Sequence, residues 1–205
     1  MESYCIYGAS GHGKVILEIL ENLGQDIHCF YDDNINKTSL LNYEVTSDVS
    51  IFAIESVCWI IGIGNNQTRK KIAENLSLKY GVAIDKRANV SKRTQIGSGT
   101  VIMPGVTINS STIIGKHAIF NTNSSIDHDC IIGDYVHISP NAALCGGIIV
   151  GEGAHIGAGA VLIPGIKIGK WATIGAGAVI VRDVPEFSIF VGNPGRLKSK
   201  GTKEK

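Results

Sequence analysis

The stretch that decides the fold runs from Val90 to Ile180: VSKRTQIGSGTVIMPGVTINSSTIIGKHAIFNTNSSIDHDCIIGDYVHISPNAALCGGIIVGEGAHIGAGAVLIPGIKIGKWATIGAGAVI. Steps of six from Val90 meet Ile96, Ile102, Ile108, Ile114, Phe120, Ile126, Ile132, Ile138, Leu144, Val150, Ile156, Leu162, Ile168, Ile174 and Ile180. All sixteen are large and apolar, in a chain that is 44% apolar. Chance alone would do this about 2 times in a million for a given phase. Gly follows the anchor at 97, 115, 133, 151, 157, 169 and 175. Small or β-branched residues recur four places after it, among them Thr100, Ala118, Ser124, Ala154 and Ala172. A period of six fits a short strand and a tight turn, repeated. Three such units close a triangular coil of about 18 residues, and coils stack by backbone pairing at about 4.8 Å. The anchors fill the tube, which is a solenoid held together by neighbouring coils. A little over five coils are expected.

The residues before this ruler read differently. Residues 3–7 form an apolar strand, GASGHG (8–13) a turn, and 14–23 a helix with apolar spacing at Val15, Ile16, Ile19, Leu20 and Leu23. Residues 27–31 and 59–63 read as further strands, the second followed by GNN and a polar helix from 67 to about 80. Alternating strand and helix implies a small parallel sheet. The linker falls near residues 82–88. It divides the chain into a Rossmann-like α/β domain, 1–84, and a β-helix domain with its tail, 85–205. The end, from Phe187, reads as an extended arm with Lys198, Lys200, Lys203 and Lys205.

Composition narrows the function. Lys plus Arg number 19 and Asp plus Glu 18, a net charge of +1, which disfavours a nucleic-acid binder. No 18-residue apolar run exists, so no membrane-spanning helix is expected, and MESYCIYGAS lacks the basic start of a signal peptide. Five Cys without Cys-x-x-Cys spacing read as reduced thiols in a cytoplasmic protein. The 25 Gly fit many tight turns.

Two motifs carry chemistry. GASGHG has G-x-x-G-x-G spacing between strand and helix, where backbone N–H groups favour a phosphate. Asp32 and Asp33 end the next strand, where an acid meets a ribose hydroxyl in dinucleotide folds. The alternative is a tight turn with a solvated acidic loop. One nucleotide or nucleotide sugar suits so small a domain, and Gly64-Asn65-Asn66 closes another strand on the same edge. In IDHDC (126–130), His128 points outward between Asp127 and Asp129. A carboxylate raises the basicity of an imidazole and suits it to general-base work. Gly146 lies one coil on, its N–H about 5 Å away. A base beside a bare backbone donor is a minimal kit for acyl transfer, and a plain surface histidine is the other reading. His137 and His155, 18 apart, stack on one outward stripe; hydrogen bonding to a ligand or plain surface is preferred to metal, because Val101, Ile119 and Thr173 complete the stripe. His117 reads as surface or packing. Ile113, Ile131 and Ile149 form an outward apolar stripe that predicts self-association, with a trimer the natural closed form.

The whole chain resembles the sugar O-/N-acyltransferases of the sialic-acid O-acetyltransferase (NeuD) type, and within them the N-acetyltransferases of UDP-4-amino sugars in bacillosamine synthesis (PglD type). The resemblance rests on IYGASGHG, FYDD, IGIGNN, the INSSTIIG…FNTNSSIDHDCIIGDYVHIS block and VGNPGR. It implies a left-handed, hexapeptide-repeat β-helix and a homotrimer in the bacterial cytoplasm. It implies acetyl-CoA as cosubstrate without a metal, and a nucleotide amino sugar as acceptor. His128 would be the general base, Asp129 the acid that raises its basicity, and Gly146 the oxyanion donor. His137, Ala158 and Ala176 would contact acetyl-CoA. Ser10, Gly11, His12, Asp32, Asp33 and Gly64 would hold the nucleotide sugar. Asp129 departs from the Glu of the bacillosamine-pathway members. O-acetylation of sialic acid or another glycan, N-acetylation of GDP-perosamine or a dTDP-amino sugar, and a non-catalytic β-helix scaffold are the alternatives.

Overall fold

The computed structural model describes residues 2–201, so Lys203 and Lys205 of the basic tail lie outside the described residues. The chain opens as β1 (Ser3–Tyr7), α1 (Gly11–Asn22) and β2 (Asp26–Tyr31). A short pair, β3 (Ser39–Leu40) and β4 (Tyr43–Thr46), and a 3-10 turn, Val49–Ala53, lead to β5 (Val57–Ile61) and α2 (Asn66–Asn75). The sheet order is β3-β4-β2-β1-β5, parallel apart from the β3–β4 hairpin. β1 and β5 are buried on both faces, which is why CIY and CWII carry no polar alternation.

Seventeen two-residue rungs, β6–β22, then run from Ala83–Ile84 to Val179–Ile180 at six-residue spacing. Each pairs in parallel with the rung 18 residues away, which builds three faces. Fourteen anchors, Ile102 to Ile180, are buried. Val90 and Ile96 are only partly buried, because they lie in the first coils, at the open end of the tube.

Two backbone rules make the ruler work. The residue directly after the anchor lies against the next coil: a Cβ on Gly133 would stand 2.7 Å from the Glu152 nitrogen. The residue three after the anchor turns the corner in the left-handed region. Gly fills many of these corners, yet Ser111, His117, Asn123, Asp129, Tyr135, Asn141 and Trp171 occupy others at φ of 53 to 63°. Thr100 and Thr112, at the fourth position, are buried, and their hydroxyls donate to the Gly115 and Asp127 carbonyls.

Several expectations need correction. The coil starts one rung early, because Ala83–Ile84 pairs with Val101–Ile102. The second helix stops at Asn75, not near 80. Leu76, Leu78 and Tyr80 alternate onto the core beside Trp59, and residues 79–81 bond to its backbone like a strand. β3 and β4 are too short and polar to show a period. The C-terminal arm is a hairpin: β23 (Ser188–Val191) adds below Thr173–Ile174, and β24 (Arg196–Lys200) folds back on it. Phe190 pairs with Ile174 at a spacing of 16, so the ruler ends there.

The two parts share one apolar core, which continues from Ile6 and Leu20 through Val101 and Ile119 into the tube. The α/β domain covers one face of the solenoid, the face bearing Val101, Ile119, His137, His155 and Thr173. Among the described residues no helix is long and apolar enough to cross a membrane.

Candidate active site

His128 lies on the turn between the face carrying Ser125 and the isoleucine face. Its Nδ1 is 2.7 Å from Asp129 Oδ2. Asp129 occupies a left-handed corner at φ 58°, and this puts its carboxylate back against the preceding imidazole. Asp127 is differently employed. It accepts from Asn109 Nδ2 and the His128 N–H, both at 2.8 Å, and its second oxygen is 4.0 Å from His128 Nε2. The Asp129 bond, then the Asp127 charge, raise the His128 pKa above the ordinary imidazole value. A carboxylate on Nδ1 leaves Nε2 as the basic nitrogen. That nitrogen faces Gly146, where an added Cβ would lie only 2.8 Å away. The Gly146 N–H makes no hydrogen bond among the described residues. Base and bare donor therefore adjoin on the molecular surface.

The second cluster lies elsewhere. His137 and His155 stack with ring centroids 4.9 Å apart, under the α/β domain instead of on open surface. With Gly64, Asn65, Asn66, Gln67, Trp171 and Thr173 they line a cavity of about 520 Å³. Burial, the adjacent His155 and the Arg69 charge push the His137 pKa down to about 3, so it is neutral at pH 7. His155 is also lowered, by burial and Arg69, and its Nε2 is 2.9 Å from Ser139 Oγ. Ala158 and Ala176 stack, exposed, on the turn leaving this face. Among the described residues no three His, Cys, Asp or Glu side chains come together to hold a metal.

On the α/β domain, Ser10 stands at the N-cap position of α1, but its hydroxyl donates to the Gly62 carbonyl and not to the helix; Gly11 opens the helix, exposed. Gly13 is demanded by contact, since a Cβ there would collide with the Gly8 carbonyl. His12 is largely buried, its Nε2 without a hydrogen-bond partner, and burial with the Arg69 charge lowers its pKa to about 4. Asp32 is engaged in the turn itself: it accepts from the Ala9 N–H at 2.9 Å and from Lys37 Nζ at 2.8 Å. Asp33 accepts from the Tyr7 and Tyr31 hydroxyls at the rim of a second cavity of about 420 Å³. Gly64 joins the first cavity with His137, so residues assigned to two different ligands meet in one cleft. His128 is not among them. His117 is a packing residue, buried and stacked on Tyr135.

Sequence reasoning missed Arg69. In NQTRKKIAEN it reads as a solvated helix cation, yet it is 1% exposed and bonded to both parts of the molecule. Its signal lies only in the tertiary contact.

Comparison with known proteins completes the picture. Residues 4–76 match the PglD N-terminal domain, and residues 111–146 and 147–182 match the bacterial transferase hexapeptide (six repeats). UDP-N-acetylbacillosamine N-acetyltransferase of Bacillus subtilis (strain 168) is 39% identical over 113 residues, 50% of this chain and 52% of that protein. The match thus spans about half the length of that curated relative. PerB from Caulobacter crescentus, solved with CoA and GDP-perosamine, is 34% identical with a TM-score of 0.91, covering 97% of this chain and 98% of that one. The acetyltransferase domain of PglB from Neisseria gonorrhoeae FA1090, solved with acetyl coenzyme A, is 35% identical with a TM-score of 0.91, covering 96% and 98%. The solenoid is accordingly the left-handed β-helix of the hexapeptide-repeat transferases. With matches end to end at this identity, the chain belongs to the family of PglD-type, hexapeptide-repeat sugar N-acetyltransferases.

Proposed function

We propose that this protein is an acetyl-CoA-dependent N-acetyltransferase acting on the 4-amino group of a nucleotide-linked amino sugar, a UDP-4-amino-4,6-dideoxy sugar by preference, in surface-glycan or glycoprotein synthesis. The observation that carries the reading is the His128 imidazole lying over Gly146, whose N–H is unbonded, with Asp129 on Nδ1. His128 takes a proton from the sugar amine as the amine attacks the thioester carbonyl. Gly146 N–H donates to the oxygen that becomes negative. His128 then returns the proton to the departing CoA thiolate, so no net charge accumulates.

His128 lies on the turn joining two faces of one chain and His137 on the third face. A single copy does not unite them, so a second copy completes the site. Ile113, Ile131 and Ile149, 45, 46 and 37% exposed, form the face that three copies would share. His137, Ala158 and Ala176 would hold acetyl-CoA along the groove. Ser10, Gly11, His12, Asp32, Asp33 and Gly64 would hold the nucleotide sugar, with Asp32 acting through the turn it ties down. The five cysteines carry no disulfide, in keeping with a cytoplasmic enzyme.

The likeness to PerB keeps a GDP-linked 4-amino sugar as the second reading. Thiol release from acetyl-CoA over a panel of UDP-, GDP- and dTDP-linked 4-amino sugars tests both. Turnover with the UDP sugar supports the first, turnover with GDP-perosamine alone the second, and turnover with none refutes the activity.

A further inference from the structure

α2 is fastened to the β-helix by one face, Asn66, Arg69 and Lys70, at the spacing that places side chains together on a helix. The left-handed corners at His117, Tyr135 and Gly153 stack on three successive coils, and their carbonyls take no rung hydrogen bond. α2 satisfies all three. Asn66 Nδ2 donates to the Gly153 carbonyl at 3.0 Å, and Arg69 donates to the His117 and Tyr135 carbonyls, both at 2.8 Å. The other bonds of the guanidinium turn back to its own domain: Nη1 to the Ile63 and Gly64 carbonyls at 3.0 and 3.2 Å, and Nη2 to Asn66 Oδ1 at 2.9 Å. A guanidinium has five N–H donors, and these five acceptors use the whole fork. None of the five is a carboxylate. A lysine has three donors and no fork, and would leave buried carbonyls without a partner.

The loop thus held supplies Gly64, Asn65 and Asn66 to the rim of the cavity that contains His137 and His155. We infer that Arg69 is the positioning residue of the acceptor cleft: it joins the Ile63–Asn66 loop to the β-helix corners and so fixes Gly64 and the N-terminal end of α2 opposite His137. It touches neither reacting group. This rests on the reading that the cleft takes the nucleotide part of the acceptor. Arg69 is then required for acceptor affinity far more than for acetyl-CoA binding, which meets this cleft only at His137, and not for the chemistry at His128. The buried cation also adds positive potential beside the place where a diphosphate would lie.

The test is Arg69→Lys in the full chain. Calorimetric titration uses acetyl-CoA and whichever of uridine, guanosine and thymidine diphosphate the native protein binds. Nucleotide affinity should fall at least about tenfold, the scale of a misplaced binding loop, and acceptor KM should rise with it. Acetyl-CoA affinity and kcat should stay within about twofold, well below that scale. Hydrogen exchange in the ligand-free variant should quicken at residues 63–67 while the rungs stay protected. Equal losses for both ligands, or unchanged exchange in the loop, would overturn the assignment. If native protein binds none of the nucleotides, the cleft reading fails, and the exchange result still decides whether Arg69 holds the loop. Should Arg69→Lys not fold, Asn66→Ala loosens the same loop with the guanidinium retained. It should shift nucleotide affinity and loop exchange in the same direction, and no change there refutes the idea.

Discussion

At His128, backbone conformation and basicity are linked. Asp129 holds the imidazole because the hexapeptide corner forces it to φ 58°, a conformation that Asn also tolerates. Asp129→Asn therefore keeps the corner and removes the charge. Since the Asp129 bond is the main reason the His128 pKa is raised, the variant's pKa should drop. A base works when deprotonated, so the acid limb of the kcat/KM profile should move to lower pH while the plateau falls. An unmoved limb would exclude His128 as the titrating base. His128→Ala should reduce turnover at least about 100-fold, with folding unchanged by circular dichroism. Gly146→Ala should match it closely: the atoms nearest the new Cβ belong to the exposed imidazole ring, which can swing away, so activity falls while the melting temperature holds. Near-native turnover in Gly146→Ala would show that the ring need not lie over this glycine. The candidate residues on the β-helix could be picked out because the six-residue count fixes which side chains point out. Asp129 and Asp127 look equivalent in sequence, and only the corner geometry separates them.

At the scale of the element, the rung tolerates variation at its outward positions and very little after the anchor. Gly133→Ala would press a Cβ against the backbone of the next coil, 2.7 Å from the Glu152 nitrogen. Neither strand can yield without disturbing its neighbours, so a loss of about 1–3 kcal/mol is expected, the usual cost of overpacking. Thermal melting of this variant beside Val161→Ala, an outward change on a rung of a face away from the isoleucine strip, measures the difference. Equal melting temperatures would remove the close-approach explanation. Periodicity located the rungs, and apolar runs located α1, β1, β2 and β5. It failed for residues 76–80, where three alternating apolar residues follow a polar helix without a breaker. It failed for the C-terminal hairpin too, whose second strand is exposed and has no apolar face to betray it.

For the whole molecule, the consequence is assembly. Three exposed isoleucines in register make a flat apolar strip along the solenoid, and burying the part of each still exposed is worth about 1 kcal/mol. Light scattering should give three times the 21.8 kDa chain mass. Ile131→Glu places a charge in the middle of the strip and should yield monomers. Because His128 lies at a corner of the solenoid and His137 on the face away from it, activity should vanish with the assembly. A fully active monomer would refute the shared site.

The sequence alone determined the solenoid, its anchors and its outward stripes, because a stacked coil depends on local geometry and its nearest neighbours. It also determined the α/β start, since β1, α1 and β2 each carry their own period. Only the tertiary structure decided where the α/β domain lies. It covers the His137 face, turning an outward stripe into the floor of a cleft and making a polar-looking Arg69 a buried clamp. That choice depends on corner carbonyls of three coils meeting one helix face. These groups are backbone atoms, and no residue type in the sequence marks them.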